Sequence, residues 1–407
     1  TDRASGGAVV LDAWAHAGQQ AERDTLERQV TRFNVSQDSI RVDLTLLPEG
    51  SYNAQVQAAA LAGDLPDLLE FDGPFVYNYV WQGHLVALDS LLTPGVTERM
   101  IPSILEQGTY RGALYSLGMY DSGLGLYGRR SLLEAVGARL PEHPGDAWTA
   151  DELDTILADL AARDPDGQVL DLKLNYRGEW FTYAFSPAIQ SAGGDLIDRT
   201  DYRSATGVLD GPPAVSAMRR LQRWIHELGH VDPNVDDNAF AGGRVALSWV
   251  GHWEYRHYHD VFGDDLVLLP LPDFGRGSRT GQGSWNWGIT TRSAHPHAAA
   301  AFLEFLLGDR QVLEMTRANA AVPATRGAIE RSRLYAAGSP LRLFVEQLDG
   351  DTAVPRPRTP AYPVITSIFQ QAFDDIQNGA DVAQVLGRAA TAIDQDIRDN
   401  EGYPSVR

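Results

Sequence analysis

The segment from Ala8 to Asp72 alternates strand and helix signals, and that alternation limits the possible fold more than any other feature of the chain. AVVLDAWAH is a short apolar run suited to a buried strand, and Gly18 breaks it. Leu26, Val30 and Phe33 then mark one helical face, and SIRVDLTLL alternates Ile40, Val42, Leu44 and Leu46 as a second strand. YNAQVQAAALAG reads as a helix ended by Gly63, and PDLLEF as a third strand. The order β-α-β-α-β predicts a parallel sheet covered by helices. Ligands of such sheets sit beyond the carboxyl ends of the strands. That rule singles out Trp14 and His16 after the first strand, and Phe71 and Asp72 after the third.

The pattern changes further on. YSLGMYDSGLGLYGRRSLLEAVG is extended and punctuated by glycine before a new helix, GRVALSWVGHWEY and LVLLPLPDF read as strands, and GSWNWGITTRSAHPHAAAAFLEFLL as a strand running into a helix after Pro296. Two amphipathic helices, PVITSIFQQAFDDIQNG and DVAQVLGRAATAIDQDI, close the chain. No internal repeat or low-complexity segment interrupts this order.

Composition excludes several functions. At 407 residues and 43% hydrophobic residues, the chain is long enough for two or three domains with real cores. A net charge of −20 repels nucleic-acid phosphate and anionic membrane surfaces. The absence of cysteine removes thiol catalysis, disulfides and cysteine-zinc sites. Lys173 is the single lysine among 34 basic residues, so Schiff-base chemistry has only one possible bearer. No apolar run reaches the roughly 18 residues that a membrane-spanning helix needs. The opening TDRASGG is polar and small, and reads either as a cytoplasmic start or as a leader left by processing.

Three short motifs invite sharper readings. HELGH at 226–230 spells the H-E-x-x-H of zinc peptidases, which requires one helix through both histidines. The stripe Val215, Met218, Leu221, Trp224, Ile225 and Leu228 ends at Gly229, with Pro233 soon after, so the helix is expected to stop before His230. HWEYRHYHD adds His252, His257 and His259 without a ligand spacing, and no metal is expected. GLGLYG at 123–128 matches G-x-G-x-x-G but lies far from the first strand, and is read as a crossover strand. Asn34 heads the triplet NVS, a glycosylation acceptor by spelling.

The joint order of VVLDAWAHAG, AALAGDLPDLLEFD, WQGHLVALDSLL, YRGALYSLGMYDSGLGLYGRRSLLEAVG, AWTADEL, FSPAIQSAGGDLID, LGHVDPN, FAGGRVALSWVGHWEY, LPLPDF and AHPHAAAAFLEFLLGDRQ covers nearly the whole chain. It resembles the extracellular solute-binding proteins of carbohydrate ABC importers, the maltose-binding-protein-like family. The resemblance implies a type II α/β fold of two lobes, each a mainly parallel sheet covered by helices, joined by hinges. One lobe would hold 1–120 and 286–328, the other 124–283 and 330–407, with crossings near 119–124, 283–288 and 325–335. It further implies a protein that is not an enzyme and needs no cofactor. Such a protein would be a monomer that closes over an oligosaccharide of maltose type and delivers it to permease subunits. Export is implied as well, to the periplasm or, in Gram-positive bacteria, to a lipid anchor. The anchoring cysteine is not in this sequence, and TDRASGG would serve as the tether.

Sugars present apolar C–H faces and hydroxyl rims, so a site that binds them without chemistry needs aromatic platforms and polar or charged partners. Candidates implied by the resemblance are the rings of Trp180, Trp253 beside Gly251, and Trp285 next to Asn286. Phe181 and Tyr183 compete with Trp180, and Trp249 is read as core. Trp285 and Trp287 lie two apart in a strand, so both are expected to face the ligand or both to be buried. Polar candidates are His16, Asp72, Asp121 and Arg356, with Arg358 competing. Two rival functions use the same residues differently. A glycoside hydrolase would need two carboxylates, such as Asp72 and Asp121, about 5 to 10 Å apart, and a surface adhesin would bind no small ligand.

Overall fold

The computed structural model describes residues 7–404. The tether expected at TDRASGG falls largely on residues 1–6 and so lies outside the described part. The chain forms two compact units, one of residues up to Asp121 together with Gly283–Ala336, the other of Ser122–Gln282 together with residues from Ala337 onward.

In the first unit β1 (Val9–Ala17), α1 (Gln20–Ser36), β2 (Ile40–Pro48), α2 (Tyr52–Ala62) and β3 (Leu68–Asp72) follow the expected alternation. β1 pairs in parallel with β2 along its whole length and with β3 at Ala13–Trp14, and so sits in the middle of the sheet. Leu26, Val30 and Phe33 of α1 are buried, as their spacing predicts. Gly63 ends α2 in the left-handed conformation, at φ +75°, where its N–H reaches the carbonyls of Ala59 and Ala60. The strand Trp285–Ile289 returns late in the chain to pair antiparallel with β3, setting Trp285 opposite Asp72 and Asn286 opposite Phe71. A core of Leu11, Ala13, Val42, Leu68, Trp287, Ile289 and Phe302 packs the sheet against helices from both ends of the unit. No sequence-local rule brings 285–289 beside 68–72; only the tertiary fold does.

The second unit has a five-stranded sheet whose central strand, Leu247–Gly251, lies between Leu124–Arg129 and Leu170–Asp171. It runs antiparallel to the former and parallel to the latter, so this sheet is mixed, where the resemblance implied a mainly parallel one. The glycine-punctuated segment 124–129 is the strand that makes it mixed, pairing antiparallel on both its edges, and GLGLYG is therefore sheet and not a phosphate loop. Trp249 is buried in this sheet near Phe185, which itself stacks on Phe373 at 4.3 Å. The two closing helices appear as Tyr362–Gln377 and Val382–Asp399, each burying the apolar face read from its spacing.

The HELGH segment ends its helix as expected, with an added detail. The α-helix Pro212–Gln222 passes into a wider turn at Arg223–Glu227, where the N–H of Leu228 reaches back five residues to Arg223. Gly229 then turns left-handed, and His230 leaves the helix. Among the described residues no group of histidine and acidic side chains is placed to hold a metal ion. The amide of Asn34 bonds both the N–H and the carbonyl of Val42, so it is committed to holding α1 against β2. No described helix is long and apolar enough to cross a membrane.

Candidate functional site

In the first unit the candidates gather at the carboxyl ends of β1 and β3. His16 is buried; its Nδ1 and its backbone N–H both donate to Glu70 Oε2, at 2.8 and 2.9 Å, and its Nε2 lies 3.5 Å from Glu22 Oε1. Burial alone would pull the imidazole's pKa down; the Glu70 and Glu22 carboxylates outweigh it and push it up to about 10. His16 is therefore an imidazolium at neutral pH. Trp285 lies flat on it, with ring centroids 3.8 Å apart and planes inclined by 5°, which adds a cation–π attraction. Tyr52 meets the same indole edge-on at 5.3 Å and donates its hydroxyl to the Glu70 carbonyl. Tyr120 donates to Glu22 at 2.6 Å. The result is an indole fixed by a charged ring, which in turn is fixed by two acids. Trp285 remains half-buried and so keeps ring surface at the site, whereas Trp14, also half-buried, pairs with Leu69 and lies on the other face of the sheet.

Alternation along the strands sorts the other candidates. Asp72 shares a face with Trp285, its pairing partner. Phe71 and Asn286 pair on the opposite face. Phe71 is buried edge-on against Tyr79, and Asn286 is buried with its amide donating to Ser116. Adjacent strand residues cannot serve one surface, so Phe71 belongs to the core and not beside Asp72. Trp285 and Trp287 do share a face, yet they part company. Trp287 pairs with Glu70 mid-strand and is buried in the core, whereas Trp285 stands at the strand end, where packing against that core leaves it half-buried. Asp121, the last residue of this unit's first segment, is fully buried and accepts from Ser103 Oγ at 2.5 Å and Gln107 Nε2 at 2.9 Å.

In the second unit three rings meet. Trp180 stands edge-on to Tyr176 at 5.1 Å and to Trp253 at 6.0 Å, and its own N–H is spent on the Leu172 carbonyl. Trp180 is buried, as are Phe181 and Tyr183; Trp253 is half-exposed, as is Tyr176. Gly251 lies under Trp253: a Cβ there would meet the indole at 2.1 Å, so only glycine admits the ring. The indole N–H of Trp253 donates to the Tyr176 hydroxyl at 3.2 Å, which donates to Glu254 Oε1 at 3.0 Å. Behind them sits Lys173, 3.6 Å from Glu254, 2.9 Å from Asp237 and 3.8 Å from Asp171. Burial alone would favour the neutral amine, but the surrounding acids hold Lys173 protonated above its ordinary range. Burial pushes the Asp171 carboxyl up to about 6 against the opposing pull of Lys173.

Arg356 is buried over the ring of Tyr183 at 4.9 Å, and its Nη1 donates to Glu179 Oε2 at 3.0 Å. Glu179 also accepts from Tyr362 and, at 2.7 Å, from Thr366. Arg358 is half-exposed.

Sequence reasoning missed Glu22, Glu70, Tyr176, Glu179 and Glu254. Two of them had a signal: Glu179 precedes Trp180 in GEW, and Glu254 follows Trp253 in WEY. The single lysine was a third clue. Nothing local marks Glu70, which reads as one polar residue in a buried strand.

Each unit thus sets a half-exposed tryptophan on a buried ion cluster. The chain belongs to the bacterial extracellular solute-binding proteins, whose family model matches residues 28–338, well over half of its length. Its fold is similar to that of the GacH receptor of Streptomyces glaucescens, solved unliganded and with acarbose, at 22% identity and a TM-score of 0.79 over 96% of this chain and 98% of that one. Maltose-bound MalE3 of T. maritima gives 21% identity and 0.81, over 96% of this chain and 100% of the other. A solute-binding protein of an ABC transporter from Thermotoga lettingae, bound with α-D-tagatose, gives 21% and 0.82, over 95% and 99%. An uncharacterized lipoprotein in the oleD 5′ region of Streptomyces antibioticus is 20% identical over 346 residues, 81% of this chain and 74% of that protein.

Proposed function

We propose that this protein is an exported receptor that binds an oligosaccharide of maltose type and passes it unchanged to the permease subunits of an ABC importer. The observation that carries the reading is the pair of half-exposed indoles, Trp285 and Trp253, each held in place by a buried charge. Rings fixed in this way offer flat apolar faces at little ordering cost, which suits the C–H faces of pyranose rings. Asp72 is the carboxylate offered to sugar hydroxyls, while His16, Asp121 and Arg356, buried and already paired, brace the surroundings together with Trp14, Trp180, Gly251 and Asn286. Support also comes from the sugars named for the similar folds: acarbose, maltose and tagatose. The similarity to a lipoprotein supports anchoring at the outer face of the membrane.

A thermal-shift screen over sugars tests the reading, because a ligand that binds only the native state raises its melting temperature. At a hundred times its Kd the gain is about 2.7 kcal/mol. Maltotriose is expected to give a larger shift than glucose, with no cleavage products on prolonged incubation. Equal shifts from the two would remove the oligosaccharide assignment, and no shift from any sugar would remove the function. Trp253→Ala and Trp285→Ala are each expected to abolish the maltotriose shift while leaving the protein folded.

A further inference from the structure

Lys173 stands out in the molecule. It is the only lysine of the chain, its side chain is 1% exposed, and its backbone is left-handed at φ +52°, a conformation seldom adopted by a residue other than glycine. Burying an ammonium among three carboxylates is a poor way to stabilise a fold, because apolar side chains of the same volume do as well. What an ion cluster supplies that apolar packing does not is direction. The relay from Lys173 to the surface is continuous. Its Nζ lies 3.6 Å from Glu254 Oε1 and 5.2 Å from the centroid of the Tyr176 ring. Glu254 Oε1 accepts the Tyr176 hydroxyl, and that hydroxyl accepts the Trp253 N–H.

An indole nitrogen is a donor only, so Trp253 needs the lone pairs of the tyrosine hydroxyl turned toward it. They are turned that way only while the hydroxyl proton is committed to an acceptor on the far side, which is Glu254. Lys173 supplies the countercharge that lets a carboxylate sit there buried, and Asp171 and Asp237 hold the ammonium from behind. The backbone N–H of Lys173 donates to Asp171 Oδ1 at 2.7 Å, and Asn234 and Ser248 donate to the same carboxylate, so the anchor is itself braced.

We propose that Lys173 is a positioning residue for the Trp253 platform: through Glu254 and Tyr176 it sets the orientation of an indole three links away, and with it the affinity for the ligand. This rests on the sugar-binding reading for its functional consequence, but the geometric claim can be tested without any sugar.

The test labels the protein with 5-fluorotryptophan and follows the nine tryptophan signals by fluorine NMR, assigning Trp253 as the signal lost in Trp253→Phe. In Lys173→Met and Tyr176→Phe the Trp253 signal is expected to move or broaden while that of Trp285 stays in place. Asp237→Asn alters a partner whose side chain is 46% exposed, and so keeps the test alive should Lys173→Met fail to fold; it is expected to give a smaller displacement of the same signal. With maltotriose as probe, Tyr176→Phe is expected to weaken binding about tenfold, the worth of one hydrogen bond in a charged network. A Trp253 signal unchanged in the folded variants overturns the proposal, as does equal displacement of all nine signals, which would mark a purely structural role. If the wild type binds no sugar but its Trp253 signal still follows Lys173, the sugar reading fails and the positioning role stands.

Discussion

The two units solve one problem in different ways. Each buries a cation among carboxylates behind a half-exposed tryptophan. In the first unit the cation is His16, in direct face-to-face contact with Trp285 and held by Glu70 and Glu22. In the second it is Lys173, which reaches Trp253 only through Glu254 and Tyr176. Direct stacking places the ring by contact, and its cation–π part is lost when His16 gives up its proton. A relay places the ring by hydrogen-bond direction, and its lysine does not titrate near neutral pH. One platform is thus coupled to alkaline pH, and the other to the integrity of a chain of bonds.

The largest effect should come from removing the lysine. Lys173→Met leaves Asp171, Asp237 and Glu254 facing one another without a countercharge. Denaturant unfolding is expected to show a loss of about 3–5 kcal/mol; a loss below roughly 1 kcal/mol, within the range of exposed pairs, would mean that the cluster is solvated and the contrast false. The alkaline limb comes next. Because the folded-state pKa of His16 lies above its unfolded value, its contribution is complete below about pH 6.5 and is lost as pH rises through about 10. Stability should fall steadily over that window, and His16→Gln should flatten the slope. A His16→Gln protein with the wild-type slope would place the titration elsewhere.

Gly251→Ala sharpens the comparison from the other side, since its methyl group would occupy the space of the Trp253 ring. Overpacking of this kind costs about 1–3 kcal/mol, and the maltotriose melting shift should shrink with it. An unchanged shift would show that the ring has room to move. The smallest effect belongs to Asp237→Asn. Its side chain is nearly half-exposed, so the expected stability change is under about 1 kcal/mol, readable as a small fall in melting temperature.

Much of the fold was legible because it is local. The 3.6-residue stripe of Leu26, Val30 and Phe33, the two-residue alternation of Ile40 and Val42, and the stop at Gly63 each depend on neighbours within a few positions. HELGH was legible for the same reason: a glycine after an apolar stripe ends a helix whatever packs around it. The candidate site was legible only in part. Trp14, His16 and Asp72 follow from the rule that strand ends carry ligands, but the same rule offered Phe71, and alternation turned Phe71 inward. Asn286 shares the face of Phe71, while Trp285 beside it lies on the other face and keeps open surface only because it stands at the strand end.

The sequence by itself determined the elements, their order, the acidic charge and the identity of the rings available. The tertiary structure decided which rings keep an open face and what holds them. The reason lies in how far apart the partners are in sequence. Glu70 reaches His16 across 54 residues, Glu254 reaches Tyr176 across 78, and the strand of Trp285 meets β3 only after Ser122–Gln282 of the second unit have been threaded between them. Periodicity reports on a residue's neighbours along the chain; a buried charge is placed by neighbours across it.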